Sequence, residues 1–266
     1  METNISKGYE IFLRRLKIEK LIIWAVRIGV LLALVGLWEL LVRIDFLDGF
    51  IFSSPTRIYR QISILFSEHQ LFHHIWVTLY VCILGFLIAT FLGTLIAIIL
   101  WYFPRVNKVL EPYIITLNAL PKVALGPVII IWVGTGTKAV ITMAVLIAIV
   151  ISIITMLNAF LETSPEKIML MKTFGANRLQ ILQKLVLPAS YPAFLSLLKI
   201  NVGLAWVGTI MGEYLSSRAG LGYLILLGQQ LFRMDLVMAS IIILCILATL
   251  MYASIALLER LVARKS

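Results

Sequence analysis

His69 and His73 stand four residues apart, the spacing that sets two imidazoles on one helix face where they could hold a metal ion. His74 adjoins them, Glu68 is the only neighbouring carboxylate, and no cysteine is near. That is too thin a ligand set, so no metal site is assigned. Gly134-Thr135-Gly136-Thr137-Lys138 has the composition of a phosphate loop without its spacing, because such a loop needs G-x-x-x-x-G-K-[ST] between a strand and a helix. Neither H-E-x-x-H nor G-x-S-x-G occurs, so no metalloprotease or serine hydrolase centre is present. What stands out instead is a set of polar and ionisable groups within apolar surroundings: Asn118, Pro121 and Lys122, then Lys199, Trp206 and Glu213. In lipid such groups line a wet path or find a partner. These six are candidate translocation-pathway residues, with packing or snorkelling as the alternative for each.

The elements that must hold them are membrane helices. Of 266 residues 61% are hydrophobic and 14% charged, and the mean hydropathy is +1.02, far from the composition of a water-soluble domain. A helix needs about 20 apolar residues to cross the hydrocarbon. The apolar runs predict six crossings, near 22–43, 76–101, 107–133, 139–160, 191–213 and 235–258. The first is too long for a signal peptide and reads as an anchor. With the termini inside, inner segments carry fourteen Lys and Arg residues and outer segments five, so both termini are expected in the cytoplasm. Topology and anionic lipid account for the net charge of +10, and no nucleic-acid partner is implied. Cys82 and Cys245 fall in predicted spans and imply no disulfide.

Residues 1–20 are basic and suit a helix lying at the membrane surface, or a frayed tail. Residues 21–75 hold the anchor and an external connection, in which Ser54-Pro55 predicts the start of a short helix. The core runs from 76 to 260, followed by a basic tail at 261–266. Within the core the third span is irregular, carrying Pro112, Pro121, Gly126 and Pro127. The fifth carries Gly208-x-x-x-Gly212, a close-packing signal that serves a contact within the chain or one between subunits equally well.

Between the fourth and fifth spans lies "LETSPEKIMLMKTFGANRLQILQKLVLPASYP". Thr163-x-x-Glu166 fits a capping box and Ser164-Pro165 an alternative cap one residue on. A helix starting there should stop at Gly175, which tolerates the left-handed conformation. Asn177 can cap a second short helix, Pro188 should end it, and Pro192 suits the first turn of the next span. The result is a helix–turn–helix hairpin at 163–188, continuous with two transmembrane helices.

Gly175, nine residues, Leu185, one residue and Leu187-Pro188 resemble the "EAA" loop of permease subunits in bacterial ATP-binding-cassette importers. "SSPTRIYRQI", "LNALPKVALGPVIIIWVGTGTKAV", "LPASYPAFLSLLKINVGLAWVGTIMGEYLSSRAGLGYLI" and "DLVMASIII" are similar to the branch that imports nitrate, taurine, aliphatic sulfonates, bicarbonate and vitamin precursors. The similarity runs from about residue 50 to 260. Two positions depart from the pattern. Met169-Leu170-Met171 replaces the usual Glu-Ala-Ala, and Leu204 stands in Gly203-Leu204-Ala205-Trp206 where many relatives have arginine.

The resemblance implies an all-α, six-span permease of the type I importer, MetI-like fold, working as a dimer in the bacterial inner membrane. It implies two cytoplasmic ATPase subunits, which bind the ATP and Mg that this chain does not, and an extracytoplasmic solute-binding protein. Coupling would fall to Lys172, Thr173, Phe174, Gly175, Ala176, Asn177, Leu187 and Pro188, with Phe174 as an apolar anchor. The chain itself would be non-catalytic. The competing reading is an ion-coupled carrier acting without an ATPase, which buried carboxylates would favour; Glu39, Glu111 and Glu213 all lie near span ends.

Overall fold

The computed structural model describes residues 2–263, so the basic tail assigned to 261–266 passes outside the described residues at position 264. All regular elements among the described residues are helical. Helix α1 (Glu2–Arg43) runs without interruption through residue 20, where the sequence suggests a boundary. No glycine or proline lies between Tyr9 and Ile28, and a helix once started propagates cheaply. The apolar stretch of α1 lies on the outside of the fold. Its end is tied down by Glu39, which accepts from Thr56 N at 3.1 Å and from the Thr56 hydroxyl, and pairs with Arg43 at 2.9 Å.

After the short α2 (Gly49–Phe52), Ser54 caps α3 (Pro55–Ser67) by accepting from Arg57 N, with Pro55 in the first turn, as the Ser-Pro pair predicts. Four further long spans follow, interrupted by one that is broken. They are α4 (Gln70–Tyr102), α7 (Thr137–Leu161), α11 (Tyr191–Ser216) and α13 (Met234–Ala263). The single span expected at 107–133 is instead two helices, α5 (Pro104–Ala119) and α6 (Gly126–Val133), joined through a 3₁₀ turn at Lys122–Leu125 with an 87° bend. Pro121 causes the break. It has no N–H to continue the ladder, so Leu120 N closes back onto Thr116 O at 3.2 Å and Ala124 N restarts on Pro121 O at 2.8 Å.

The centre is α4, α7 and α11. Between lipid-embedded helices no hydrophobic effect drives association, so close approach and dispersion must hold them. Small residues provide that approach: a Cβ at Gly85 of α4 or at Gly208 of α11 would lie 2.5 Å from an atom of Ala144 on α7, and one at Gly212 would lie 2.7 Å from Val140 Cα. The Gly208/Gly212 pair therefore serves contact within the chain. At mid-bundle the buried Asn201 amide donates to Thr90 Oγ1 and to Ser152 Oγ, each at 2.8 Å, joining all three helices. Asn201→Leu keeps the volume and removes both bonds. Hydroxyls in lipid can fall back on their own helix, as Ser152 already does on Ala148 O at 2.9 Å. The expected cost is thus about 1 kcal/mol, read as a fall of a few degrees in the melting temperature of the detergent-purified protein.

A ten-residue helix that the sequence did not predict, α12 (Leu221–Gln230), folds back between α11 and α13. It is too short to cross, and a short apolar run such as Leu221–Leu227 is the mark of such a buried helix. Its Leu221 and Leu224 join Cys82, Phe86, Ala205, Trp206, Leu236 and Ile243 in one of two cores. The other gathers Leu100, Met156, Phe160 and Leu197 around the segment linking α7 to α11.

Candidate functional site

That segment is the predicted hairpin. Of the two possible caps, Ser164 takes the role: its hydroxyl accepts from Lys167 N, opening α8 (Pro165–Thr173), while Thr163 is buried. The same hydroxyl donates to Glu166, whose carboxyl is held below its usual range chiefly by that bond. Gly175, at φ +77°, ends α8. Ala176 N reaches Met171 O at 3.0 Å and Gly175 N reaches Lys172 O at 2.9 Å, the paired closure that a left-handed residue after a helix permits. Asn177 and Gln180 then exchange two 2.8 Å bonds in a capping box that starts α9 (Arg178–Ile181).

Pro188 does not end this second helix as expected. The chain widens into a π-turn at Leu182–Val186, continues as α10 (Leu187–Ala189) past the proline, and enters α11 through Ser190. Leu187 N bonds five residues back, to Leu182 O. The wider turn gives room for the proline ring, which would clash with the carbonyl of Lys184 in a regular helix.

The hairpin is braced from below and bare at its tip. Arg178 donates to Trp101 O at 3.0 Å and lies over the rings of Trp101 and Tyr102, 5.4 and 5.7 Å from their centroids. Ser190 Oγ donates to Ala159 O at 3.2 Å. Ile181, Leu182 and Val186 are buried in the second core. Lys172, Thr173, Phe174, Gly175 and Asn177 are exposed, with Ala176 half-buried behind them, while Leu187 and Pro188 stand at the junction with α11. Phe174 is 80% exposed, and Met169 and Leu170 beside it on α8 are exposed too.

The six pathway candidates do not form one constellation. Asn118, Pro121 and Lys122 sit together at the bend between α5 and α6, with Lys122 Nζ 3.4 Å from Asn118 Oδ1. Lys199 forms an ion pair with Glu259 of α13. Trp206 is buried in the first core, and its Nε1 has no partner among the described residues.

Glu213 is fully buried at the start of α12. A helix leaves its first N–H groups without intrahelical acceptors, and here side chains from two other helices supply them. Gly220 N donates to His74 Nδ1 at 3.0 Å, Leu221 N to Thr78 Oγ1 at 2.8 Å, and Gly222 N to Glu213 Oε2 at 2.8 Å. Thr78 Oγ1 also lies 3.1 Å from Glu213 Oε2. His74 is thus a helix cap. The sequence reading missed this clamp and the Arg178 brace. Gly220-Leu221-Gly222 after a buried glutamate was its one visible sign.

The family described as "Binding-protein-dependent transport system inner membrane component" matches residues 89–265. A protein named "Probable ABC transporter permease protein" from Haemophilus influenzae is 32% identical over 229 residues, covering 86% of this chain and 91% of its own length. A putative aliphatic sulfonates transport permease protein of Bacillus subtilis is 26% identical over 227 residues, covering 85% and 82%. Among solved structures, a chain of the MetNI methionine ABC transporter in inward-facing conformations aligns with a TM-score of 0.63 at 20% identity, over 74% of this chain and 97% of that one. The fold is therefore the MetI-like one of type I importer permeases, with five long apolar helices, or six where the bent pair α5 and α6 counts as one. The matched region contains the hairpin, α11 and α12, and the chain belongs to the family of binding-protein-dependent transport system inner membrane components, the permease subunits of ABC importers.

Proposed function

We propose that two copies of this chain enclose a solute pathway, and that the 163–188 hairpin docks on a cytoplasmic ATPase whose ATP- and Mg-dependent closure moves it. One observation carries this reading: an 80%-exposed phenylalanine at the tip of an otherwise firmly braced loop. Phe174, flanked by Met169 and Leu170, offers an apolar knob of the kind that seats in a partner's groove. Arg178 and the buried Ile181, Leu182 and Val186 give that knob a stiff connection to α4, α7 and α11. The excess of Lys and Arg on the same side supports a cytoplasmic hairpin and cytoplasmic termini. An extracytoplasmic solute-binding protein delivers the cargo, a small solute such as the sulfonates named for the Bacillus subtilis relative, or taurine, nitrate or a vitamin precursor.

Asn118, Pro121 and Lys122 are the side chains we assign to the pathway wall. They are clustered at a bend that faces away from the core, where a second copy would close over them. Lys199, Trp206 and Glu213 contribute from behind, by holding α11 against α12 and α13.

Phe174→Glu tests the coupling. Because the side chain is exposed, the variant is expected to fold as the parent does. Loss of a central aromatic anchor costs about 2 kcal/mol or more, so capture of the ATPase by the variant should fall by about thirtyfold. Uptake by proteoliposomes holding the ATPase and binding protein should be lost with it. Uptake driven by an ion gradient in liposomes containing this chain alone would instead establish the ion-coupled carrier.

A further inference from the structure

Beneath the hairpin, where α8 and α9 overhang the corner between α4 and α5, lies an open cleft of about 310 Å³. Its walls are mostly apolar, from Leu100, Trp101 and Pro104 among others, and its charged lining is of one sign: Lys172 and Arg178, with no carboxylate. Arg178 spends one guanidinium nitrogen on Trp101 O and keeps further N–H donors available. The Lys172 ammonium has no hydrogen-bond or ion-pair partner among the described residues.

Two more features converge on the same place. Helix α5 begins at the cleft wall with Pro104 and has no side-chain cap; Asn107 N is taken by Phe103 O at 3.1 Å, which leaves the amides of Arg105 and Val106 without an acceptor among the described residues, at the end of the helix that favours negative charge. Asn107, also in the wall, has a buried carboxamide oxygen with no partner. Its NH₂, with no partner among the described residues, is the accessible end of that amide and a donor for an anion. Trp101 and Tyr102 lie at the end of α4, and aromatic side chains at span ends sit at headgroup level.

We infer that this cleft binds a phosphate group, carried in the membrane by an anionic lipid headgroup whose chains lie along the apolar wall. The site lies beside the Phe174 tip and shares Lys172 and Ala176 with the residues expected to couple, and its occupant goes beyond the coupling reading. Its occupant would tie the first turn of α5 to both arms of the hairpin.

The test uses the full chain, purified in maltoside detergent and examined by native mass spectrometry with phosphatidylglycerol, phosphatidylcholine or inorganic phosphate. One phosphatidylglycerol should bind in preference to phosphatidylcholine. A cation close to an anionic headgroup contributes about fivefold in affinity, so Lys172→Gln should weaken that first adduct by about this factor. Arg178→Gln should weaken it at least as much, but Arg178 also braces the hairpin, which makes the exposed Lys172 the deciding position. Lys138→Gln, at the opposite end of α7, should change nothing. Displacement of the lipid by inorganic phosphate in the parent but not in Lys172→Gln would show the same site taking free phosphate. Equal binding of the two lipids, or an unaltered adduct in Lys172→Gln, overturns the assignment. So would an unaltered lipid preference combined with lost ATPase capture, which would give the cations to the protein partner.

Discussion

Glu213→Ala is expected to lower stability by about 3 kcal/mol. The substitution strips the acceptor from Gly222 N at the buried start of α12 and leaves a cavity where the carboxyl stood. Thr78 can turn its hydroxyl to His74 O, 3.1 Å away, but no other acceptor is placed for Gly222. In a chain of this size such a loss corresponds to about 6–12 °C in melting temperature. Glu213→Gln retains an oxygen for Gly222 and should recover most of it. Thermal melts of the two variants in detergent, beside the parent, decide the matter. Equal melting of Glu213→Ala and the parent would mean that α12 is held without this carboxylate, by His74, Thr78 and its apolar face. The contrast with Asn201→Leu is instructive: both residues are buried and polar, yet only Glu213 serves a backbone amide that has no fallback.

Gly208→Val should have an effect as large, for a steric reason. The new Cβ would lie 2.5 Å from Ala144 Cα and 3.1 Å from Met143 O, and backbone cannot swing aside as a side chain can. Helices α7 and α11 must part, at a cost of about 3 kcal/mol. Gly203 on the same helix is the control, since nothing lies within 4 Å of a Cβ there. Gly203→Ala should be neutral, or stabilising by up to about 1 kcal/mol from helix propensity. A melting temperature for Gly208→Val within a degree of the parent would show that the two helices do not touch as described.

Much of this architecture could be read from residue types. Long apolar runs mark spans whatever their packing, so four of them came out within a few residues, and the Ser54-Pro55 cap located α3. The hairpin was legible for the same reason: Ser164, Gly175 and Asn177 act within a few residues of themselves. What depended on distant partners was not. Pro121 signalled irregularity but not an 87° bend, because the angle is set by what α5 and α6 pack against. Helix α12 was hidden because its start is capped by His74 and Thr78, more than 140 residues away in the chain. A polar atom in an apolar run, as at Glu213 and Trp206, reads the same whether it meets solute or protein, so the bond from Glu213 to Gly222 was not legible. Phe174 was picked out with the hairpin, and its exposure needed coordinates.

The surplus residue in the Leu182–Val186 turn acts as a phase setting between two patterns. On a regular helical path with one residue fewer, every position from Leu187 onward would rotate by about 100° and shift by about 1.5 Å along the axis. Asn201 would then leave Thr90 and Ser152, the glycines would turn away from α7, and Glu213 would miss Thr78. A local irregularity near one end of the bundle thus fixes the azimuth of a whole rod, and single-residue deletions at 182–186 should be far less tolerated than substitutions there.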